Sequence, residues 1–217
     1  MKRLTAAALT ALALLAAPLA QAQPAAVSPE GLKLVPNAKV QVLYLREGAD
    51  FSGYDKFAIL EAYVAFRKNW KRDQNSGSAS AMRVTDSDMM RIKEGLAKQF
   101  KAVFVRELTA KGQKHVTAAG PGVLILRPAL VNLDITAPDT MTARSNTYSV
   151  STGKVTLILE VYDSVSSELL ARVVDTGVAT DSIMMSRNGM SNKADSEAIL
   201  KKWAVMLANG LAQARGK

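Results

Sequence analysis

The chain has 217 residues, of which 48% are apolar and 22% charged, a balance that suits a globular protein and excludes a disordered or collagen-like one. It contains no Cys and one His, which excludes disulfides, thiolate chemistry, an acylated lipobox Cys and any multi-His metal site within one chain. Lys and Arg number 28 against 19 Asp and Glu, a net charge of +9.

Residues 1–22 have the order of a secretory signal. Lys2 and Arg3 form a basic start, an Ala- and Leu-rich run follows over 4–17, Pro18 breaks it, and Ala20 and Ala22 supply the small residues a signal peptidase reads. The apolar run is shorter than the roughly 20 residues that span a bilayer, so cleavage after Ala22 is expected rather than anchoring. Removing Lys2 and Arg3 lowers the net charge to +7. The expected location is the periplasm, with secretion beyond it as the alternative. No later stretch reads as membrane-spanning.

Residues 23–36 contain Pro and Ala without a steady period and read as a flexible leader. The remainder, 37–217, reads as a single domain. A short strand is expected over 40–45, then a turn containing Gly48 and Gly53, then a strand over 56–66 that is apolar on both faces and therefore interior. The run 75–80 is small and polar. Thr85 and Asp88 have capping-box spacing, and Ile92, Leu96, Phe100, Val103 or Phe104, and Leu108 recur at helical intervals up to Gly112, a natural residue for the helix stop. Gly120-Pro-Gly122 marks a turn before a strand over 123–135, whose Pro128 predicts an edge or a bulge.

The strands 154–162 and 169–178 form a hairpin around the turn 163–168. Pairing positions that sum to 332 sets Glu160 opposite Arg172 as a cross-strand ion pair on the wetter face. It also puts Leu157, Leu159, Val161, Leu169, Ala171 and Val173 on a dry face. The last helix is expected over 195–214, with Ile199, Trp203, Met206, Leu207 and Leu211 on its stripe. The expected fold is α+β: a two-layer sandwich with a mainly antiparallel sheet and two long helices on one face.

The run Leu43-Tyr-Leu-Arg-Glu-Gly-Ala-Asp-Phe-Ser-Gly-Tyr-Asp-Lys-Phe57 resembles the early signature of the bacterial domain of unknown function 3313 family. The run Leu159-Glu-Val-Tyr-Asp-Ser-Val-Ser-Ser-Glu-Leu-Leu-Ala171 is similar to its second signature, and Trp70 and Trp203-Ala204 fit as well. The resemblance covers nearly all of the chain after residue 22. It implies no activity, cofactor or catalytic residue. Many members look like lipoproteins, but without a lipobox Cys that anchoring does not carry over.

Several residues bear on chemistry. His115 as a general base would need a nucleophile and an orienting carboxylate, neither of which has a recognised context, and it reads as a surface-loop residue. Ser151 and Lys154 match a Ser-x-x-Lys pattern, but at a strand start rather than a helix start, so the match is set aside. Glu160, Asp163, Glu168 and Asp175 are the densest carboxylates and could serve a hydrolase, but the ion pair and turn positions favour structural roles. Met184, Met185 and Met190 could present thioethers to Cu(I), although methionine more often fills gaps. No cofactor or metal is assigned.

The run Arg67-Lys-Asn-Trp-Lys-Arg72 carries a different signal. Arg67, Lys68, Lys71 and Arg72 surround Trp70, and only Asp73 adjoins them. Such a cluster suits phosphate-bearing surfaces, here lipopolysaccharide or phospholipid headgroups rather than nucleic acid. The structural alternative is a solvated strand end with Trp70 as a lid on the core. The expected function is therefore that of a non-catalytic exported envelope protein binding a protein partner or an anionic surface. The alternative is a periplasmic hydrolase with scattered carboxylates.

Overall fold

The computed structural model describes residues 23–76, 83–135, 147–148, 153–178, 186–187 and 189–215. In chain order the elements are β1 (Lys33–Leu34), β2 (Val42–Leu45), β3 (Lys56–Ile59), β4 (Tyr63–Phe66), α1 (Trp70–Asn75), α2 (Asp86–Ala110), β5 (Lys114–His115), β6 (Val123–Asp134), β7 (Thr147–Tyr148), β8 (Lys154–Asp163), β9 (Leu169–Val178), β10 (Ser186–Arg187) and α3 (Gly189–Ala214). The fold is α+β. Its main sheet runs β1-β2-β9-β8-β6-β3-β5, with β4 also paired to β6, while β7 and β10 form a separate ribbon.

The sheet is mixed rather than mainly antiparallel. From β1 to β6 the pairs are antiparallel, but β3 and β4 both run parallel to β6, and β5 runs parallel to β3. The reason lies in the connection. Helices α1 and α2 intervene between β4 and β6, and a helical crossover returns the chain in the same direction.

Pro128 explains a second difference. The strand expected over 56–66 is interrupted at residues 60–62, and β6 is an interior strand flanked by β8 and by β3 with β4. The register passes from Ile59 opposite Leu126 to Tyr63 opposite Ala129, so the partner strand carries one extra residue beside Pro128. The main-chain oxygen of Leu126 accepts from Leu60 on that side. Backbone groups two residues apart on a strand point the same way, so the donor missing at Pro128 faces the gap. The irregularity expected at Pro128 thus falls mainly on its neighbour. A second irregularity follows at Asn132, whose φ is 53° and beside which both pairings of β6 shift register.

Local signals map directly onto α2. The Thr85 side chain accepts from the Asp88 N–H at 3.1 Å, and Asp88 accepts from the Thr85 N–H at 3.0 Å, a complete capping box. At the other end Gly112 takes a φ of 83°. The core joins this helix to the sheet and to α3: Phe100, Phe104 and Leu108 share one cluster with Leu126, Leu157, Leu159, Val161, Leu200 and Trp203. The hairpin register holds through Glu160 opposite Arg172 and shifts only at its closed end, where Tyr162 faces Leu169. That shift moves Leu169 off the expected dry face. It packs instead with Leu32 and Tyr44 in a second cluster, while Leu170 enters the main core.

The segment over 23–36, expected to be flexible, carries β1 and lies against the sheet. Leu32 is fully buried, and the Ala25 carbonyl accepts from the Tyr44 hydroxyl at 2.8 Å. Helix α3 begins at Gly189, six residues before the expected start at 195. Among the described residues no helix is long and apolar enough to cross a membrane.

Gly177 on β9 permits a close approach of α3. A Cβ there would stand 2.2 Å from Cγ2 of Ile199 and 3.1 Å from Cζ2 of Trp203. Gly177→Ala is therefore expected to destabilise by about 3 kcal/mol, the upper end for an overpacked core, because helix and sheet must separate locally. Urea unfolding checks this, and an unchanged midpoint would show that α3 is free to shift.

Candidate functional site

The sequence run that carries the basic cluster lies where β4 passes into α1. Asn69 turns the chain with a φ of 63°, and Trp70 opens the helix. Trp70 is 1% exposed. Its ring stacks on Phe66 with centroids 4.1 Å apart, and its indole N–H donates to the Ile135 carbonyl at 3.1 Å. The indole therefore closes the end of the core, which is the lid role, and it has no open face on which a ligand could stack.

Around that lid is a cleft of about 560 Å³, lined by Ala65, Phe66, Arg67, Asn69, Trp70, Lys71, Arg72, Asn75, Met89 and Lys93. Arg67, Lys71 and Arg72 of the expected cluster meet here, joined by Lys93 of α2. Lys68 lies outside the lining. The sequence reading missed Lys93 because it is remote along the chain, although its place on α2 one turn beyond Met89 put both on one helical face.

The cluster is more neutralised than its neighbours in sequence implied. Arg67 bonds Asp73 at 2.6 Å and Asp134 at 2.8 Å, Lys71 bonds Asp86 at 2.7 Å, and Arg72 approaches Asp73 at 3.4 Å. Asp134 ends β6 and Asp86 starts α2, so the fold rather than the sequence brings them in. The Arg67 hydrogen bond holds the Asp73 carboxyl below its usual range. Lys68 and Lys93 have no ion pair among the described residues. The pairs of Lys71 and Arg72 are solvent-exposed, and such pairs contribute little and exchange readily. Arg67, with two partners, reads as the fixed member.

The four candidate carboxylates do not converge. Glu160 accepts from Arg172 at 2.7 Å, from the Tyr162 hydroxyl at 2.9 Å and from Arg127. Burial opposes its charge, but these hydrogen bonds outweigh burial and hold the carboxyl below its usual range. A carboxyl so held stays ionised near neutrality, which unsuits it to donate a proton. Asp163 is the acceptor of the turn, taking the Val165 and Ser166 N–H groups, and these bonds also lower its pKa. Glu168 pairs with Arg46 at 3.0 Å. Asp175 lies on the opposite sheet face from Glu160, buried, accepting from Trp203 at 2.8 Å and from the Gln41 N–H at 3.1 Å.

His115 sits in β5 rather than in a loop, its ring 5.4 Å from that of Phe57. Lys154 opens β8, while Ser151, Met184 and Met185 lie outside the described residues. Met190 falls within α3 rather than in a loop.

A family model described as a protein of unknown function (DUF3313) matches residues 25–207. No curated protein matches the chain. Among solved structures it is similar to the PelC dodecamer of Paraburkholderia phytofirmans, at 10% identity over 76% of this chain and 96% of that one, with a TM-score of 0.37. It is also similar to protein XCC0632 of Xanthomonas campestris, at 10% identity over 78% and 90%, with a TM-score of 0.44. A third is a neuraminyllactose-binding hemagglutinin homolog of Helicobacter pylori, at 12% identity over 79% and 94%, with a TM-score of 0.36.

Proposed function

We propose, from the premise that this chain belongs to the DUF3313 family, that it is an exported, non-catalytic envelope protein that binds an anionic partner at the cleft beside Trp70. The single observation behind this reading is the grouping of Arg67, Lys71, Arg72 and Lys93 around one cleft floored by Phe66 and Trp70. The exposed pairs of Lys71 and Arg72 let both cations turn to a ligand at small cost. The net positive charge of the whole chain adds a long-range attraction to the local one. Lys68 lies beside this cleft and reinforces its field.

Calorimetric titration with a soluble polyphosphate tests the cleft without presuming the source of the anion. Saturable binding is expected that weakens steeply as salt rises, since the Debye length is only about 8 Å at physiological ionic strength. A variant with Lys68, Lys71, Arg72 and Lys93 changed to Gln should lose it, with Arg67 kept because it ties Asp73 and Asp134. Equal binding by parent and variant would remove the cleft from the account.

Export rests on the order of charge, apolar run and small residues before Gln23. Expression with the full leader should yield a periplasmic chain beginning at Gln23 by N-terminal sequencing. An uncleaved membrane-bound chain would overturn this.

A further inference from the structure

We infer that the anionic ligand of the cleft is an extended, acidic segment of a partner polypeptide, which adds as a strand to the free edge of β4. The inference rests on the anion-binding reading above and names its ligand class.

Three observations converge on β4. The first is its pairing. Among the described residues β4 pairs with β6 alone, whereas β3, on the same side of β6, is covered on its outer edge by β5. A strand with one partner leaves alternate N–H and C=O groups unpaired, and proteins usually blunt such edges with charge, proline or a covering segment. The residues of β4 are Tyr63, Val64, Ala65 and Phe66, with neither a charge nor a proline among them.

The second observation lies at the start of the strand. Leu60 and Tyr63 are exposed, Tyr63 to 66%, so two large apolar side chains stand within four positions at the entry to the open edge. The third lies at its end, where Ala65, Phe66 and Arg67 run into the cleft and meet Lys71, Arg72 and Lys93. The three features lie in line: apolar side chains, an open strand edge, then a cationic cleft.

An extended peptide matches that sequence of features. A strand advances about 3.3 Å per residue, so roughly eight residues pass Tyr63, cover β4 and enter the cleft. Main-chain hydrogen bonds to β4 would supply affinity, and carboxylates at the leading end would fix register and direction against the cations. A lipid headgroup would engage the cationic end alone and leave the strand edge and Tyr63 without a role, so the observations favour a polypeptide.

The experiment uses the chain from Gln23 onward and a labelled peptide of about eight residues, alternating Val and Thr and ending in three acidic residues. Two twins carry backbone N-methyl groups, one on the odd and one on the even residues. Binding is expected for the parent peptide and for one twin. The other twin should bind about tenfold more weakly, because only one set of N–H groups faces β4. Tyr63→Ser should also weaken binding, and the β4 amides not bonded to β6 should become protected from hydrogen exchange. Equal binding by both twins would overturn strand addition. So would binding of phosphatidylglycerol vesicles without binding of the peptide, although the cleft would then remain an anion site. Failure of peptide, vesicles and polyphosphate together would remove both the strand and the cleft.

Discussion

Replacing Trp203 by alanine is expected to cost about 3–5 kcal/mol, the range for a buried aromatic ring. At the entropy of unfolding of a domain this size the loss lowers the melting temperature by about 10 °C. Trp203 is 3% exposed and shares the main core with Phe100, Phe104, Leu157 and Leu200. With Ile199 it also packs against Gly177, where α3 approaches β9. Its indole N–H donates to Asp175 at 2.8 Å, so truncation removes a donor from a buried carboxylate as well as opening a cavity. Trp203→Phe separates the two effects. It keeps most of the ring and loses the donor, and about 1–3 kcal/mol is the expected cost. Thermal and urea unfolding of both variants check this. An unchanged melting temperature for Trp203→Ala would show that the ring contributes no packing.

The second large effect is expected at Arg172. Its guanidinium meets Glu160 at 2.7 Å and both carboxylate oxygens of Glu30 at 2.8 Å. Glu160 is 8% exposed, so Arg172→Met leaves a buried carboxylate with Arg127 and Tyr162 as its remaining partners. The expected loss is about 3 kcal/mol, the lower end for breaking a buried pair, because Arg127 still compensates. Adding Glu160→Gln should recover part of it, since the stranded charge goes too. The pH dependence has a definite sign. Arg172 holds the Glu30 carboxyl at about 2, below its ordinary 4.5, and the Glu160 carboxyl is lowered too. A carboxyl lowered by folding adds stability that is present above its unfolded value and is lost as pH falls through its folded one. Parent stability should therefore fall between about pH 4.5 and about 2, and Arg172→Met should fall less over that interval. Urea midpoints across this range measure both, and parallel curves would refute the assignment.

What the sequence disclosed was largely local or periodic. Thr85 and Asp88 of the capping box are three positions apart, and the hairpin register follows from one turn, so the sequence alone pairs Glu160 with Arg172. The parallel placement of β3 and β4 could not be read this way, because it depends on which strand the chain returns beside after α2. Pro128 was visible as an irregularity, but strand alternation alone does not say whether the strand or its neighbour yields. Helix α1 is six residues long, too short for a period to show. In the cleft, Arg67, Lys71 and Arg72 were legible as adjacent charges. Their neutralisation by Asp86 and Asp134 and the arrival of Lys93 were not, since those residues come from other elements. The same holds for Arg127, which joins Glu160 only through the pairing of β6 with β8.

The placement of residues 23–46 bears on the order of assembly. Glu30 meets Arg172 across 142 positions, Arg46 reaches the Leu169 carbonyl across 123, and β2 with its partner β1 joins the rest of the sheet through β9. One border of the sheet thus joins the first quarter of the chain to the last. The β1–β2 pairing is local to residues 23–46, but that pair cannot join the main sheet until β9 has been made, and loop closure over that span must precede any gain from the contacts with β9. Pairings this distant in sequence slow folding, because the entropy of closing the loop is lost before the contacts return any stability. A sheet border whose two strands are more than 120 residues apart stays open until the later strand has been made.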